Sequence, residues 1–366
     1  MLLLYVESGA GSRALAEALA SGFRKQGKTV ELMSVSDLLP QWLSDLLFGQ
    51  YYQWCMSGKQ HHSKLYASRW FYPFLYRLLP LWLALKGNDK LQEAKAVLRR
   101  HNQVVACSYY GAFFARYFAR LAGHKVEVSG VLGDYQISNG WRTPLTQLFV
   151  SHQYSHPVLD WHRARGTDIL PLGIPTEVAR DLTVTDKDTA KKNEAALNIL
   201  LCGGGWGLGI SASTVALLLA QDPSGTVTVI CGQNETLQQQ LRARFAQEIA
   251  QHQLQLAGFV SDMQPYYAQA DIIITKAGGL TLTEAALANT CLIIHGALPG
   301  QEQHNRAVFV AQGAALNARN DQQLSDLLSQ IQASASLRSQ TIMKAATLVN
   351  ANASNQICHH LLASSK

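Results

Sequence analysis

Residues 271–305 read DIIITKAGGLTLTEAALANTCLIIHGALPGQEQHN, and this stretch narrows the choice of folds more than any other. Asp271 opens an apolar β-branched run, Ile272 to Thr275, which suits a buried strand. Lys276-Ala277-Gly278-Gly279 turns the backbone. Thr283, Glu284 and the Ala/Leu-rich residues to Ala288 suit a helix. Leu292 to Ile294 form a second strand, and Pro299-Gly300-Gln301-Glu302 follow as a polar loop. Strand, glycine turn, helix, strand is a βαβ unit, whose strands lie parallel because the crossover returns the chain to the same end of the sheet.

The pattern recurs on both sides of the chain's midpoint. In the first half, Leu2 to Val6 is a buried-type strand followed by Ser8-Gly9-Ala10-Gly11 and a helix carrying Ala14, Leu15, Ala18, Leu19 and Phe23. Further strands are expected at Val30–Met33, Val104–Cys107 and Val126–Leu132. In the second half they are expected at Asn198–Cys202, Thr226–Cys231, Leu254–Ala257, Asp271–Thr275 and Leu292–His295. The most polar stretch, Thr183 to Ala196, reads as the linker. Residues 1–178 and 197–340 are thus expected to be two doubly wound α/β domains. Ser339 to Leu362 has a helical pattern, and residues 341–366 are expected to form a helix able to cross back to the first domain. Parallel sheets take ligands at the carboxyl ends of their strands.

The glycine turns have a chemistry of their own. A turn opening a helix exposes free N–H groups at the positive end of the dipole, which suits a phosphate or diphosphate. Gly278, Gly279, Leu280 and Thr281 are the donors to expect, with Lys276 either assisting or solvated. Gly203, Gly204 and Gly205 follow a strand and allow close approach of a diphosphate. Glu284 is placed to accept ribose hydroxyls. Gln301, Glu302 and Asn305 have the hydrogen-bonding repertoire that sugar hydroxyls need. The alternative is an ordinary βαβ unit with no ligand.

The motifs add a resemblance. TKAGGLT, TEA and LPGQEQHN resemble the donor site of lipid-directed glycosyltransferases, in particular monogalactosyldiacylglycerol synthases and bacterial processive diacylglycerol glucosyltransferases. The N-acetylglucosaminyltransferase that makes lipid II is more distantly similar. SGAGSRALAEAL, GDYQISNGW at 133–141, GIP at 173–175, LLCGGGWG at 200–207, CGQN at 231–234 and AGFVSDM at 257–263 match in the same order. The resemblance implies the GT-B architecture, two Rossmann-like domains facing a cleft, and a UDP-sugar donor. It also implies base recognition at Gly258, Phe259 and Val260, and a role for Asn234, whose alternative is a turn residue. Glu284 would bind the ribose, and Gln301, Glu302 and Asn305 the sugar. Nothing in these donor segments resembles a DxD metal motif, so donor binding is expected from backbone dipoles, with no metal and no permanently bound cofactor.

Composition bears on the acceptor. Charged residues make up only 15% of the 366, and the net charge is +6. Residues 1–150 hold 17 Lys and Arg against 9 Asp and Glu, so the first half carries the excess. That favours an anionic membrane surface over nucleic acid, for which no motif is present. Residues 42–82 hold 12 of the 31 aromatic residues. Tyr66, Trp70, Phe74, Leu78 and Trp82 form one helical stripe, which either lies in a membrane interface or packs on the first sheet. Trp54, Lys59, Lys64 and Trp70 are the membrane candidates. Six scattered cysteines without a CxxC pair, and no apolar run long enough to span a bilayer, suggest a cytoplasmic protein peripheral on the inner membrane face.

Inverting transfer also needs a base for the acceptor hydroxyl. Here the chain departs from its relatives. Gly9, Gly11, Ser12 and Arg13 match the family's acceptor or phosphate loop, but Ser12 stands where the family has His, and Ser138 replaces a second His. An unassisted serine is a poor base near neutral pH. Asp134, at the end of its strand, is the candidate base, with Glu7 in reserve. Arg13 is expected to bind phosphate or pair with Glu7. His61, His62, His152, His156 and His162 are further sources of a base. The reading is transfer from a UDP-sugar to a lipid such as diacylglycerol. Alternatives are a non-lipid acceptor, a nucleotide-sugar-binding protein without a base, and an epimerase.

Overall fold

The computed structural model describes residues 1–7, 10–49, 68, 70–86, 88–177, 197–221, 224–298 and 300–364. The chain divides into two compact units. One comprises residues 1–177, 299–301 and 352–366, the other residues 178–298 and 302–351.

The first unit holds strands β1 (Leu2–Tyr5), β2 (Glu31–Ser34), β3 (Gln103–Ala106), β4 (Glu127–Val131), β5 (Gln147–Phe149) and β6 (Asp168–Leu170). They form one sheet in the order β2-β1-β3-β4-β5-β6, and neighbouring strands run parallel. Leu2, Leu3 and Leu4 are fully buried, as are Phe114 and Phe118 of the helix Tyr109–Leu121. A strand apolar on both faces needs cover on both, and the crossover helices supply it.

The second unit repeats this with β7 (Asn198–Cys202), β8 (Thr226–Ile230), β9 (Leu254–Ala257), β10 (Ile272–Thr275), β11 (Cys291–His295) and β12 (Leu316–Ala318). The order is β12-β11-β10-β7-β8-β9, again with parallel pairs. Ile272, Ile273 and Ile274 are fully buried. Each sheet reverses its winding once, between β1 and β3 in the first and between β7 and β10 in the second.

Strands read from sequence recur within about a residue at each end. Three short strands do not announce themselves: β5, β6 and β12 have three residues each. Two further readings are corrected. The polar loop after β11 is the start of a helix, Gln301–Ala311. The pattern over 339–362 is two helices, Ala335–Leu348 and Ala353–Ala363, separated near Asn350.

The helix Ala353–Ala363 belongs to the first unit and packs on the helix Ala10–Lys25. Gly22 lets the two approach closely, since a Cβ there would lie 2.9 Å from Cys358 Sγ. Ser354 Oγ donates to Thr176 O at 3.1 Å, and Gln147 Nε2 to Ser364 Oγ at 3.0 Å.

The aromatic region contains the helix Phe71–Lys86. Its packed face carries Tyr72, Tyr76, Leu79 and Leu83. Tyr76 stacks on Phe113 at 4.1 Å and donates its hydroxyl to Gly140 O at 2.9 Å. The stripe expected from sequence lies on another face. Trp70 is 69% exposed and Phe74 63%, and Leu81 beside them is 59% exposed. These residues therefore do not pack on the sheet. Tyr66 and the side chain of Trp82 lie outside the described residues, as do Gly9, Trp54, Lys59, Lys64, His61, His62 and the linker at 183–196. Among the described residues, no helix is long and apolar enough to cross a membrane.

Candidate functional site

The two glycine turns singled out in the second half leave β7 and β10, adjacent strands at the point where the winding reverses. Open α/β sheets bind ligands at this point, because the crossover helices diverge there and leave a crevice. After β7 the backbone makes a single turn, Gly204–Trp206. Gly207 is left-handed (φ +61°), and a Cβ on it would lie 2.1 Å from Cys231 O. The first turn is thus seated backbone to backbone on the turn after β8, and Gln233 N donates to Gly205 O at 2.9 Å. Asn234 Oδ1 accepts from Leu237 N at 3.0 Å and caps the helix Glu235–Arg244.

After β10, Gly278 precedes the helix Gly279–Leu287 in an extended conformation, and no side chain caps it. The first intrahelical bond there is Leu282 N to Gly278 O. The amides of Gly279, Leu280 and Thr281 therefore precede the hydrogen-bonded ladder. Lys276 reaches across both turns: a Cβ on Gly204 would lie 3.1 Å from its Cε, and one on Gly278 would lie 3.4 Å from its Nζ. Its ammonium pairs with the Glu302 carboxylate. Glu302 is 5% exposed and also accepts from Leu298 N at 2.9 Å. Asn305 is fully buried and donates to Ala277 O at 3.0 Å, bracing the glycine turn. Glu284 accepts from the Tyr267 hydroxyl at 2.9 Å. Burial, with the Glu284 charge beside it, holds that phenol well above its usual range. Gln301 begins its helix, and Phe259, between Gly258 and Val260 beyond β9, is 57% exposed. Sequence reasoning missed Tyr267, since nothing in its spacing links it to Glu284. Among the described residues no group of His, Cys, Asp or Glu is arranged to hold a metal ion.

In the first unit, Gly11, Ser12 and Arg13 lie in the first turn of the helix Ala10–Lys25, and Glu7 is exposed after β1. Ser12 Oγ accepts from Val6 N at 3.2 Å and donates to Cys107 O at 3.1 Å. Its hydroxyl ties the carboxyl ends of β1 and β3 together, and its proton is committed there. Arg13 pairs with Glu17 at 2.9 Å, not with Glu7. Asp134 is half-buried beyond β4, close enough to Tyr154 to add to the rise that burial gives that phenol. Tyr154 in turn accepts from Ile137 N at 2.8 Å.

The described histidines have separate roles. His156 caps the helix Pro157–Arg163. His162 is fully buried, bonded to Trp141 O at 2.9 Å. His152 follows β5, with its ring 4.9 Å from Tyr154 and its Nδ1 2.9 Å from Ser151 Oγ. Burial lowers its pKa. His152 is thus the histidine that the structure brings to the loop cluster of Asp134.

The same chain segment that carries both glycine turns has a family counterpart. Residues 199–360 match the glycosyltransferase family 28 C-terminal domain. The family 28 match covers the second unit from β7 onward and continues into the helix Ala353–Ala363. Over 332 residues the chain is 25% identical to a processive diacylglycerol beta-glucosyltransferase of Bacillus thuringiensis, covering 88% of this chain and 83% of that protein. Among solved structures, Acinetobacter baumannii MurG is similar with a TM-score of 0.62 at 18% identity, over 99% of this chain and 98% of that one. The S. aureus MnaA–UDP co-structure gives a TM-score of 0.60 at 13% identity, over 98% and 95%. At these identities the structures speak to fold, and the fold is GT-B.

Proposed function

We propose that this protein transfers a sugar from a UDP-sugar to a lipid acceptor such as diacylglycerol, with inversion, at a membrane surface. The observation that carries the donor half is the pair of glycine turns flanking the β7–β10 reversal, one of them opening an uncapped helix. A diphosphate there would meet the amides of Gly279, Leu280 and Thr281 and the ammonium of Lys276, as Gly203, Gly204 and Gly205 let the opposite backbone approach. Glu284 would hold the ribose, Gln301 and Glu302 the sugar, and Gly258, Phe259 and Val260 the base. These contacts need no metal ion.

The lipid acceptor is supported by the similarity to the Bacillus diacylglycerol glucosyltransferase and by the exposed face of Trp70, Phe74 and Leu81. That face suits one-sided contact with a bilayer. Asp134 is the proposed base, with Glu7 in reserve. Ser12 supports a second reading, a binding protein without transfer activity, because its hydroxyl is already committed.

The test is UDP release and glycolipid formation with UDP-glucose, UDP-galactose or UDP-N-acetylglucosamine and diacylglycerol vesicles. Asp134→Asn should lower transfer by at least a hundredfold while leaving UDP affinity within about twofold. Undiminished turnover in that variant rejects the base assignment. UDP binding with no transfer to any acceptor selects the binding protein.

A further inference from the structure

Glu302 is proposed to hold the sugar, yet both oxygens of its carboxylate already have partners. Oε1 accepts from the ammonium of Lys276, and Oε2 accepts from Leu298 N at 2.9 Å. The Glu302 side chain is 7% exposed and that of Lys276 18%, so the cation is the more accessible of the two. Among the described residues, Glu302 is the one hydrogen-bond partner of the ammonium. As it stands, the carboxylate offers a sugar little until Lys276 lets go.

The ammonium stands where a diphosphate would. A Cβ on Gly204 would lie 3.6 Å from Lys276 Nζ, and one on Gly278 would lie 3.4 Å from it, so Nζ sits between the two glycine turns. An anion entering there meets a cation already shared with a buried carboxylate. An ammonium has three N–H donors but a single charge. Two anions drawn to it repel each other, and partial burial strengthens that repulsion. Glu284 adds to the negative side, being close enough to act, with Lys276, on the Cys202 thiol.

We infer that Lys276 and Glu302 are an exchange pair, which the UDP-sugar separates and which closes again to favour release of UDP. The inference rests on the proposed UDP-sugar reading. The diphosphate takes the ammonium, and a sugar hydroxyl donates to Glu302 Oε1 in its place, so the buried carboxylate keeps a partner. UDP alone brings no such donor. It also ends in a free phosphate, which carries more negative charge than a diphosphate esterified to a sugar. Binding UDP thus deprives Glu302 of its counter-ion without replacement. Once the sugar has left, the carboxylate competes with the nucleotide for Lys276. Glu302 is in this sense a specificity residue, setting the preference for donor over product.

The test is calorimetric titration of the whole protein at constant ionic strength with UDP, UDP-glucose, UDP-galactose and UDP-N-acetylglucosamine. Wild type, Glu302→Gln, Lys276→Gln and the double variant are compared. Glu302→Gln should bind UDP about threefold tighter or more, a gain that loss of a merely structural group does not give. Its preference for UDP-sugar over UDP should fall by about tenfold. In the Lys276→Gln background the same substitution should again tighten UDP, because the carboxylate there faces the diphosphate with no cation between them. That second comparison decides the matter if Glu302→Gln alone does not fold, since the double variant leaves neither charge unpaired. UDP affinity unchanged or weakened by removal of the carboxylate overturns the exchange and leaves the UDP-sugar reading standing. No UDP binding by wild type rejects that reading and the exchange with it.

Discussion

Lys276 owes its position to three neighbours: the turn at Gly204, the turn at Gly278 and the carboxylate of Glu302. Such a cation is expensive to leave alone in a mostly buried site. Glu302→Ala should lower the stability of the second unit by about 2–4 kcal/mol, because the ammonium loses its partner and Leu298 N its acceptor. Glu302→Gln should cost about half as much, since an amide oxygen can still accept from Leu298 N. Urea denaturation of the two variants checks the order. A different residue-scale effect comes from His162. Burial pushes its pKa down to about 4, against 6.5 in the unfolded chain. Between those values the unfolded chain binds the extra proton. The stability His162 contributes is therefore complete above pH 6.5 and is lost as pH falls toward 4, at no more than ~1.4 kcal/mol per pH unit. His162→Gln should flatten that slope in denaturation curves collected from pH 7 to pH 4. Residues like these were only half legible from sequence. Glu302 and Asn305 stood out as polar groups behind a glycine turn. That one pairs with Lys276 and the other braces Ala277 depends on contacts 26 and 28 residues away in the chain, which no local pattern encodes.

At the scale of elements, the glycine turn after β7 separates two kinds of glycine. Gly207 and Gly209 are both left-handed, at φ +61° and +80°, but only Gly207 would place a Cβ against backbone, whereas Gly209 has nothing within 4 Å. Gly209→Ala should cost about 1 kcal/mol, the strain of the backbone conformation alone. Gly207→Ala must also part the turns after β7 and β8, and should cost more than about 3 kcal/mol and weaken UDP binding in the same titration. Of the strands flanking these turns, β7 was legible as an apolar run buried on both faces from Ile199 to Cys202, and β8 by its alternating Thr and Val. β5, β6 and β12 were not, since three-residue strands hold too few side chains to show a period. The loop read after β11 became a helix because Gln301, Glu302 and Gln303 are good helix formers whose polarity, next to Pro299-Gly300, mimics a loop. For the helix Phe71–Lys86, spacing gave a stripe but not its surroundings. Packing of Tyr72 and Tyr76 on the helix Tyr109–Leu121 turns Trp70 and Phe74 outward.

For the molecule as a whole, the chain's course matters more than any one motif. The first unit is completed by residues 352–366, which lie beyond the whole of the second unit in sequence. Ala353, Ile357, Cys358 and Leu361 are buried there. Removing residues 352–366 should therefore destabilise the first unit, by on the order of 5 kcal/mol from the lost apolar burial, with little effect on the second. Site-resolved hydrogen exchange would show it as lost protection in β1 and the helix Ala10–Lys25. Equal loss in both units would contradict it. The packing of Gly22 on Cys358 also sets a timetable. During synthesis, the 174 residues from 178 to 351 must be added after residue 177 before Asn352, an interval of roughly 10–35 s at ordinary translation rates. Through that interval the helix Ala10–Lys25 waits with an apolar strip uncovered, while the second unit can already fold. The half made first is the half finished last.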